Sequence, residues 1–174
     1  MGQTRLAISS CLINPIGVIH TPFKYAEGTP IQAAAGKGIQ GVVELLPQFS
    51  PGLQDLVGFE RIWLIYLMDR ASAMQLIVCP YMDTEERGVF ATRSPSRPNH
   101  MGLSAVRLLG VEENRLTIAD VDILDGTPLL DIKPYVPAFD SFEQAHAGWY
   151  TGKCATGVLA DNRFEVGRLD NDQD

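Results

Sequence analysis

The sequence is poor in cysteine, in cationic side chains and in long apolar runs. Its three cysteines, Cys11, Cys79 and Cys154, are far apart and odd in number, which excludes a disulfide framework and the paired spacing of a structural zinc site. Lys and Arg number 14 against 21 for Asp and Glu, giving a net charge of −7, which excludes general adhesion to nucleic acid or anionic membrane. No apolar run approaches the roughly 18 residues of a membrane span. These absences predict a cytoplasmic protein with reduced thiols and no membrane partner.

Motifs of several common site types are missing as well. The three histidines, His20, His100 and His146, lack the spacing of zinc ligands, and no motif links them to a serine or cysteine nucleophile. No Gly-x-Gly-x-x-Gly follows the first apolar segment, which disfavours a Rossmann fold. The sequence therefore predicts neither a metal site nor a nucleophilic triad.

Short segments rich in Val and Ile, separated by Gly and Pro, are typical of strands. Residues 105–111 and 115–124 flank a Glu-Glu-Asn turn, and this arrangement predicts a hairpin. Further segments of this kind lie at residues 14–20, 39–46, 61–67 and 74–79. Many short strands without alternating helices predict a mainly β, single-domain protein, an antiparallel β-barrel with short flanking helices.

Two segments favour helix. Residues 51–58 carry leucine and valine at one-turn spacing and predict a short helix. Residues 140–150 are the better candidate, because Ser141 and Gln144 form a capping box and the apolar side chains fall on one face. We therefore expect a barrel domain at residues 1–136 and, at residues 137–174, a helix and tail that pack on the barrel or extend from it. The acidic end at residues 170–174 is expected to be a solvated, frayed terminus.

One stretch stands out from this acidic chain by its basic character. The run RGVFATRSPSRPNHMGLS, residues 87–104, holds three arginines, two prolines and two glycines, with no acidic side chain. Proline stiffens the backbone, and guanidinium groups bind carboxylate or phosphate in a fixed fork geometry. The run therefore predicts an anion-binding loop. A second run, DILDGTPLLDIKPY at residues 122–135, has the opposite charge and a Gly-Thr-Pro turn at its centre, and one site can use both.

The pattern GVFATRSPxRPNxxGLS followed by DGTPxLDIKPY resembles the TsaA-like (YaeB-like) family, and the similarity extends in outline from residue 16 to about 135. Its best understood members are TrmO-type tRNA N6-methyltransferases that act on threonylcarbamoyl-adenosine beside the anticodon. The resemblance implies an antiparallel barrel, S-adenosylmethionine as cofactor and a homodimer. Because the chain is acidic, tRNA would have to approach a local patch formed by Arg87, Arg93, Arg97 and Arg107.

A site for this cofactor needs donors at one end and acceptors at the other. Arg93 or Arg97 is expected to clamp an anionic group, and Asp125 to accept bonds from hydroxyls or an ammonium. Further cofactor contacts are expected from the main chain of Leu103, Ile123, Leu124 and Gly126, and the resemblance adds Pro30, Ile31, Gln32, Asp69 and Arg70. In the alternative, the arginines pair with Asp120, Asp122 and Asp131 in a stabilising network.

Asp131, Lys133 and Tyr135 alternate in an extended segment, which places them on one face. They are candidates for orienting or deprotonating the methyl acceptor. In the alternative, Asp131 and Lys133 form only an ion pair.

The chain departs from the family pattern at Ile31, where relatives carry a basic residue, at Asp69, near a usual histidine, and at His100-Met101 in place of Pro-Ile. These departures keep a second function open, that of a protein that binds S-adenosylmethionine and acts on or senses a small molecule rather than tRNA.

Overall fold

The computed structural model describes residues 10–165 and contains eight strands in this range. They are β1 (Gly17–His20), β2 (Gln40–Leu45), β3 (Arg61–Leu67), β4 (Ile77–Val78), β5 (Arg87–Gly88), β6 (Met101–Glu112), β7 (Arg115–Ala119) and β8 (Thr127–Pro134). One α-helical turn, α1, spans Pro137–Asp140. Single-turn 3₁₀ segments occupy Ala33–Gly36, Leu56–Gly58, Val89–Ala91 and Gly148–Tyr150, and a longer one covers Pro47–Leu53.

Six strands close into a barrel in the order β1-β2-β7-β6-β3-β8, and every neighbouring pair is antiparallel. On β3 the side chains of Ile62, Leu64 and Tyr66 point inward and are buried, while the intervening residues are half-buried, as the two-residue period of a strand requires. The core contains Ile19, Val43, Leu45, Leu53, Leu56, Ile62, Leu64, Tyr66, Val106, Leu116, Ile118, Val121, Ile123 and Leu129. The prediction of a mainly β, single-domain antiparallel barrel is confirmed.

The strand predictions are confirmed for most of the barrel, with shifts at the ends. The segment predicted at residues 61–67 is β3, and the predicted hairpin is formed by β6 and β7. β7 ends at Ala119 rather than at residue 124, because Asp120 has a φ of 63° and turns the chain out of the strand. The segment predicted at residues 74–79 is reduced to the two residues of β4. β8 was not among the predicted strands, because its two prolines and the preceding glycine are typical of turns, although residues 131–135 were expected to be extended.

Both helix predictions are wrong in type or extent. Residues 51–58 fall in two 3₁₀ segments, interrupted at Asp55 by a φ of 64°. Residues 140–150 are not a continuous helix, because α1 ends at Asp140. Ser141 closes that turn as its C-terminal cap, with its backbone N–H donating to the Pro137 carbonyl, instead of capping the start of a new helix. Phe142 is 76% exposed, so this short segment has no packed apolar face to stabilise it, and a helix of this length is marginal without one.

After α1 the chain returns along the barrel instead of extending away from it. Leu159 forms a β-bridge with Pro30, and Ser72 donates its backbone N–H to the Phe164 carbonyl at 2.8 Å. Phe164 also packs with Val78 and Val89 in a second, smaller apolar cluster. The domain division at residue 136 stays a prediction, and the terminus at residues 170–174 lies outside the described residues.

Between residues 10 and 165 no helix is both long and apolar enough to cross a membrane. The same part of the chain contains no cluster of three or more His, Cys, Asp or Glu side chains arranged to hold a metal ion.

Candidate functional site

A cavity of about 400 Å³ opens at one end of the barrel. The end of β3, the start of β6 and the segment leading into β8 form its floor, where Tyr66, Gly102 and Asp122 lie together. The basic loop contributes residues 92–95 and 97, and the segment around Pro30 contributes another wall. The volume lies within the usual range for a small-molecule site. The fold therefore brings the basic and acidic sequence runs to one concave surface.

Most of the residues predicted to bind the cofactor lie on this surface. The cavity is lined by Pro30, Ile31, Gln32, Asp69, Arg70, Arg93, Arg97, Leu103, Ile123 and Leu124. They come from five separate stretches of sequence, and the barrel places them around a single space. Their roles as ligands remain predictions, but their convergence is a property of the fold.

Arg93 links two of these walls. Its Nη1 donates to Oε1 of Gln32, so the loop after β5 is joined to the Pro-Ile-Gln segment. The side chain is exposed rather than buried. Its charge lowers the pKa of Asp122 without forming an ion pair with it. Arg93 is thus positioned to offer its remaining N–H donors to an anionic group in the cavity.

Arg97 is held by its own loop. Its Nη1 donates to the carbonyl oxygens of Thr92 at 2.8 Å, Val89 at 3.2 Å and Ser94 at 3.5 Å. The guanidinium also lies 5.9 Å from the centre of the Phe90 ring. These contacts give Arg97 a structural role in fixing the loop, in addition to its place on the cavity wall.

The alternative network of loop arginines with nearby aspartates does not form among the described residues. Asp120 pairs with Arg61 on β3, at 2.7 Å from Nη2, and Asp131 pairs with Lys133 at 2.8 Å. Asp122 accepts from Ser104 instead of an arginine.

Arg70 fastens the turn that precedes β8. Its Nη2 donates to the Asp125 carbonyl at 2.7 Å and to Oγ1 of Thr127 at 3.3 Å, while Nε lies 3.8 Å from Asp69. Asp125 and Gly126 themselves do not line the cavity. The Asp125 carboxylate accepts hydrogen bonds from Lys24 and from the backbone N–H of Thr21 at 3.0 Å, so both of its oxygens already have partners within the protein.

Asp131, Lys133 and Tyr135 lie outside the cavity. β8 runs away from its floor, and Lys133 is paired in register with Trp63, near the opposite end of β3. The Asp131–Lys133 ion pair forms as in the alternative interpretation, and the Tyr135 ring packs against Trp63 with centroids 5.4 Å apart. Their catalytic role remains a prediction that this placement does not support.

Sequence reasoning missed the polar chain on the cavity floor. Ser104 Oγ donates to Asp122 Oδ1 at 2.7 Å and lies 3.0 Å from the Tyr66 hydroxyl, which therefore donates to Ser104. Burial raises the pKa of Asp122 to about 6, against the lowering effects of the Ser104 hydrogen bond and the Arg93 charge. Burial, and then the Asp122 charge, also raise the pKa of Tyr66, so the phenol stays protonated.

Gly102 leaves room for the Tyr66 ring on the cavity floor, because it has no side chain. A Cβ at position 102 would lie 2.1 Å from the Tyr66 ring, closer than two carbon atoms can approach. The available sequence signal for this polar chain was Asp122 itself, an acid set between the apolar residues Val121 and Ile123.

Two aromatic residues from beyond α1 complete the wall. Trp149 and Tyr150 both line the cavity, and their rings are stacked with centroids 3.8 Å apart and an interplanar angle of 28°. The sequence interpretation placed Trp149 on the apolar face of a helix, so its position at the cavity was not foreseen.

Two departures from the family pattern differ in position. Asp69 is on the cavity wall, whereas His100 is not. His100 adopts a φ of 48°, which the proline expected from the resemblance cannot adopt, since its ring fixes φ near −65°. The backbone of this loop therefore differs locally from one that has proline here.

The residues present fit S-adenosylmethionine, the group implied by the resemblance. The cavity offers cationic donors at Arg93 and Arg70, a carboxylate at Asp69, and apolar surface at Ile123 and Leu124. A molecule with a carboxylate, an ammonium, a sulfonium and an adenine needs this mixture of opposite charges and apolar surface.

Comparison with known families and structures gives concordant matches. Residues 18–141 match the family described as tRNA-methyltransferase O N-terminal domain. A crystal structure of TrmO from Pseudomonas aeruginosa superposes with a TM-score of 0.69 at 38% identity, covering 81% of this chain and 63% of that one. The chain thus spans less than two thirds of the length of that solved structure.

Two curated relatives illustrate the range of similarity. A probable S-adenosyl-L-methionine-binding protein of Pyrococcus abyssi is 58% identical over 135 residues, covering 78% of this chain and 73% of the relative. The tRNA (adenine(37)-N6)-methyltransferase of Mus musculus is 32% identical, covering 80% of this chain and 34% of the relative. The family match at residues 18–141 covers the barrel and ends before Trp149.

Proposed function

This chain belongs to the family of the tRNA-methyltransferase O N-terminal domain, and we propose that it methylates N6 of threonylcarbamoyl-adenosine beside the tRNA anticodon. The chain is an S-adenosylmethionine-dependent methyltransferase, with S-adenosylmethionine as its cofactor. The observation that carries the proposal is the cavity at which the basic loop, the Pro-Ile-Gln segment and the floor around Asp122 converge.

The chain's own residues divide between binding and positioning. Bound S-adenosylmethionine supplies a methyl group on a sulfonium, so the reaction needs alignment more than strong activation. Arg93 and Arg70 provide donors for the cofactor carboxylate, and the main chain at Leu103, Ile123 and Leu124 borders the space for an adenine. Arg97 keeps the loop in shape through its bonds to backbone carbonyls.

Asp122 is the group that receives the acceptor's proton. The acceptor nitrogen must lose a proton when it is methylated, and a base has to lie within the cavity to take it. The Asp122 carboxylate is on the floor, and Ser104 fixes one of its oxygens at 2.7 Å. A pKa of about 6 leaves the carboxylate ionised at neutral pH and close to the range in which a general base is effective.

The protein is further proposed to act in the cytoplasm as a homodimer, with tRNA approaching the arginines of the basic loop. Arg93 and Arg97 are at the cavity, Arg87 is bound by Asp83 and Glu85, and Arg107 is exposed on β6. Light scattering at micromolar concentration tests the assembly. A single species at the 19.1 kDa mass of one chain would contradict the dimer.

A small-molecule function is the second candidate. The net charge of −7 repels a polyanion, and the Pyrococcus abyssi relative and one from Archaeoglobus fulgidus are named only as S-adenosyl-L-methionine-binding proteins. In this case the same cavity would bind the cofactor, and its acceptor would be a small molecule or absent.

Mass spectrometry of tRNA nucleosides separates the two functions. Purified protein is incubated with S-adenosylmethionine and tRNA that carries threonylcarbamoyl-adenosine without the methyl group, and we expect the methylated nucleoside to accumulate. Calorimetry with S-adenosylhomocysteine is run in parallel to establish cofactor binding. Cofactor binding without any change in tRNA nucleosides would reject the tRNA function and favour the small-molecule one.

A further inference from the structure

The segment that follows the family domain supplies one wall of the cavity. The family match ends at residue 141, yet Trp149, Tyr150 and Phe164 all line the space. The side chains of this wall therefore lie outside the residues that match the family.

Hydrogen bonds hold the segment against both sides of the cavity. Gly28 donates to the Ala160 carbonyl at 2.9 Å, and Ala160 donates back to the Thr29 carbonyl at 2.8 Å. On the other side, Trp149 Nε1 donates to the Ala91 carbonyl at 2.7 Å. The aromatic pair is thus fixed between the basic loop and the segment around Pro30, with both ends tied to the barrel.

Two cations accompany the aromatic pair. Lys153 Nζ is 4.9 Å and the Arg87 guanidinium carbon 5.5 Å from the centre of the Trp149 ring. Asp83 pairs with both cations, at 3.1 Å from Lys153 and 2.9 Å from Arg87, and Glu85 also accepts from Arg87 at 2.8 Å. Stacked aromatic rings beside fixed cations are the combination by which proteins bind unpaired bases and the phosphates attached to them.

We propose that Trp149 and Tyr150 form the platform on which the base of the acceptor nucleotide stacks, with Arg87 and Lys153 next to its phosphates. The inference rests on the proposed function and adds the residues that recognise the acceptor. The cofactor adenine is a poorer occupant, because the anionic group of S-adenosylmethionine is its carboxylate, for which Arg93 and Arg70 are the proposed donors. The residues predicted to bind the cofactor also come from the barrel, the basic loop and the Pro30 segment rather than from this wall.

Fluorescence measures the stacking directly. The sequence contains two tryptophans, and Trp63→Phe leaves Trp149 as the sole indole reporter. An anticodon stem-loop RNA is titrated into this variant saturated with S-adenosylhomocysteine, and we expect Trp149 emission to be quenched. Tyr150→Ala is expected to weaken RNA binding roughly fivefold to a hundredfold, the range found when a base loses an aromatic partner. Tyr150→Phe retains the stacking surface and is expected to restore the affinity.

Calorimetry with S-adenosylhomocysteine alone tests whether the aromatic platform binds the acceptor base or the cofactor. Tyr150→Ala should leave this affinity unchanged. An equal loss of S-adenosylhomocysteine binding in Tyr150→Ala would assign the rings to the cofactor and overturn the proposal. Unchanged binding of both RNA and S-adenosylhomocysteine would show a purely structural clamp and also overturn it. If wild-type protein binds the cofactor product but not the RNA, the proposed tRNA function itself fails.

Discussion

Asp122 and Asp131 belong to one acidic run but occupy contrasting environments. Asp122 lies on the cavity floor, receives a hydrogen bond from the neutral Ser104 hydroxyl and has a raised pKa. Asp131 lies on β8 outside the cavity and is paired with Lys133 at 2.8 Å. Burial of the Asp122 carboxyl raises its pKa and outweighs the lowering effect of the hydrogen bond from Ser104. Asp131 instead has the Lys133 ammonium as its partner.

The largest expected effect comes from exchanging the two acids for amides. Asp122→Asn retains the shape of the side chain but cannot accept a proton, so we expect turnover to fall about 10²- to 10⁴-fold with little change in cofactor affinity. Asp131→Asn removes an ion pair outside the cavity and is expected to cost far less. Single-turnover methylation of tRNA measures both.

If Asp131→Asn lowered turnover more than Asp122→Asn, the assignment of Asp122 as the base would be contradicted. That result would favour Asp131 as the base, as the Asp-x-Lys-x-Tyr alternation predicts. Glu112→Gln, at the distant tip of the β6–β7 hairpin, is the control for the loss of one negative charge.

The second prediction concerns stability and needs no substrate. The pKa of Asp122 rises from 3.8 to about 6 on folding, so the folded state holds its proton more tightly than the unfolded state. This stabilisation is fully present below about pH 4 and is lost as the pH rises through about 6, by up to about 3 kcal/mol. Burial raises this pKa, while the Ser104 hydrogen bond, backbone hydrogen bonds and the Arg93 charge lower it.

Urea unfolding between pH 4 and 7 gives the difference in unfolding free energy between wild type and Asp122→Asn. The difference is the relevant quantity, because Asp120 and Asp125 have lowered pKa values and change stability with pH in the opposite direction. Parallel curves for the two proteins would show that Asp122 titrates normally.

The barrel could be predicted because its signals are local. β3 alternates buried and half-buried residues along Arg61–Leu67, and the Glu-Glu-Asn turn marks the β6–β7 hairpin. β8 could not be predicted in this way, since it pairs with β1 and β3, which lie far from it in sequence. These tertiary contacts make the prolines of β8 tolerable, and no local sequence pattern predicts such contacts.

The candidate site could likewise be predicted only where its signals are local in the sequence. Charge and motif singled out Arg93 and Gln32, which the fold joins by a hydrogen bond. They could not reveal the polar chain, because Tyr66, Ser104 and Asp122 meet only when β3, β6 and the segment before β8 close the barrel floor. Trp149 was equally hidden, because its position depends on the return of the chain after α1 and not on helical periodicity.

The third prediction tests the basic side of the cavity. Arg97→Ala is expected to weaken S-adenosylhomocysteine binding tenfold to a hundredfold, through loss of a charge-assisted bond or through disorder of the loop whose carbonyls it binds. Calorimetry measures the affinity, and thermal unfolding shows whether the loop effect extends to the whole fold. Arg115→Ala, on the distant hairpin and paired with Glu44, is the control. Unchanged affinity in a folded Arg97→Ala protein would reject Arg97 as a ligand.

The fourth prediction compares two glycines on the same strand. An added Cβ at Gly102 would lie 2.1 Å from the Tyr66 ring, whereas nothing lies within 4 Å of the corresponding position at Gly110. Gly102→Ala is therefore expected to lower the free energy of unfolding by about 1–3 kcal/mol and to displace Tyr66 from Ser104. Gly110→Ala should have a much smaller effect. Equal denaturant midpoints for the two variants would show that Tyr66 moves aside without cost.

The smallest expected effect lies on the outer face of β6, away from the cavity. Arg107 is exposed four residues beyond Leu103, about 13 Å along the strand. If tRNA extends from the cavity over this face, Arg107→Gln should reduce the slope of log affinity against log salt by about 1, while S-adenosylhomocysteine affinity stays unchanged. Arg115→Gln provides a matched loss of charge on the neighbouring strand, where Glu44 already neutralises the arginine. An identical salt slope in wild type and Arg107→Gln would remove β6 from the RNA path and confine the basic contact to the cavity mouth.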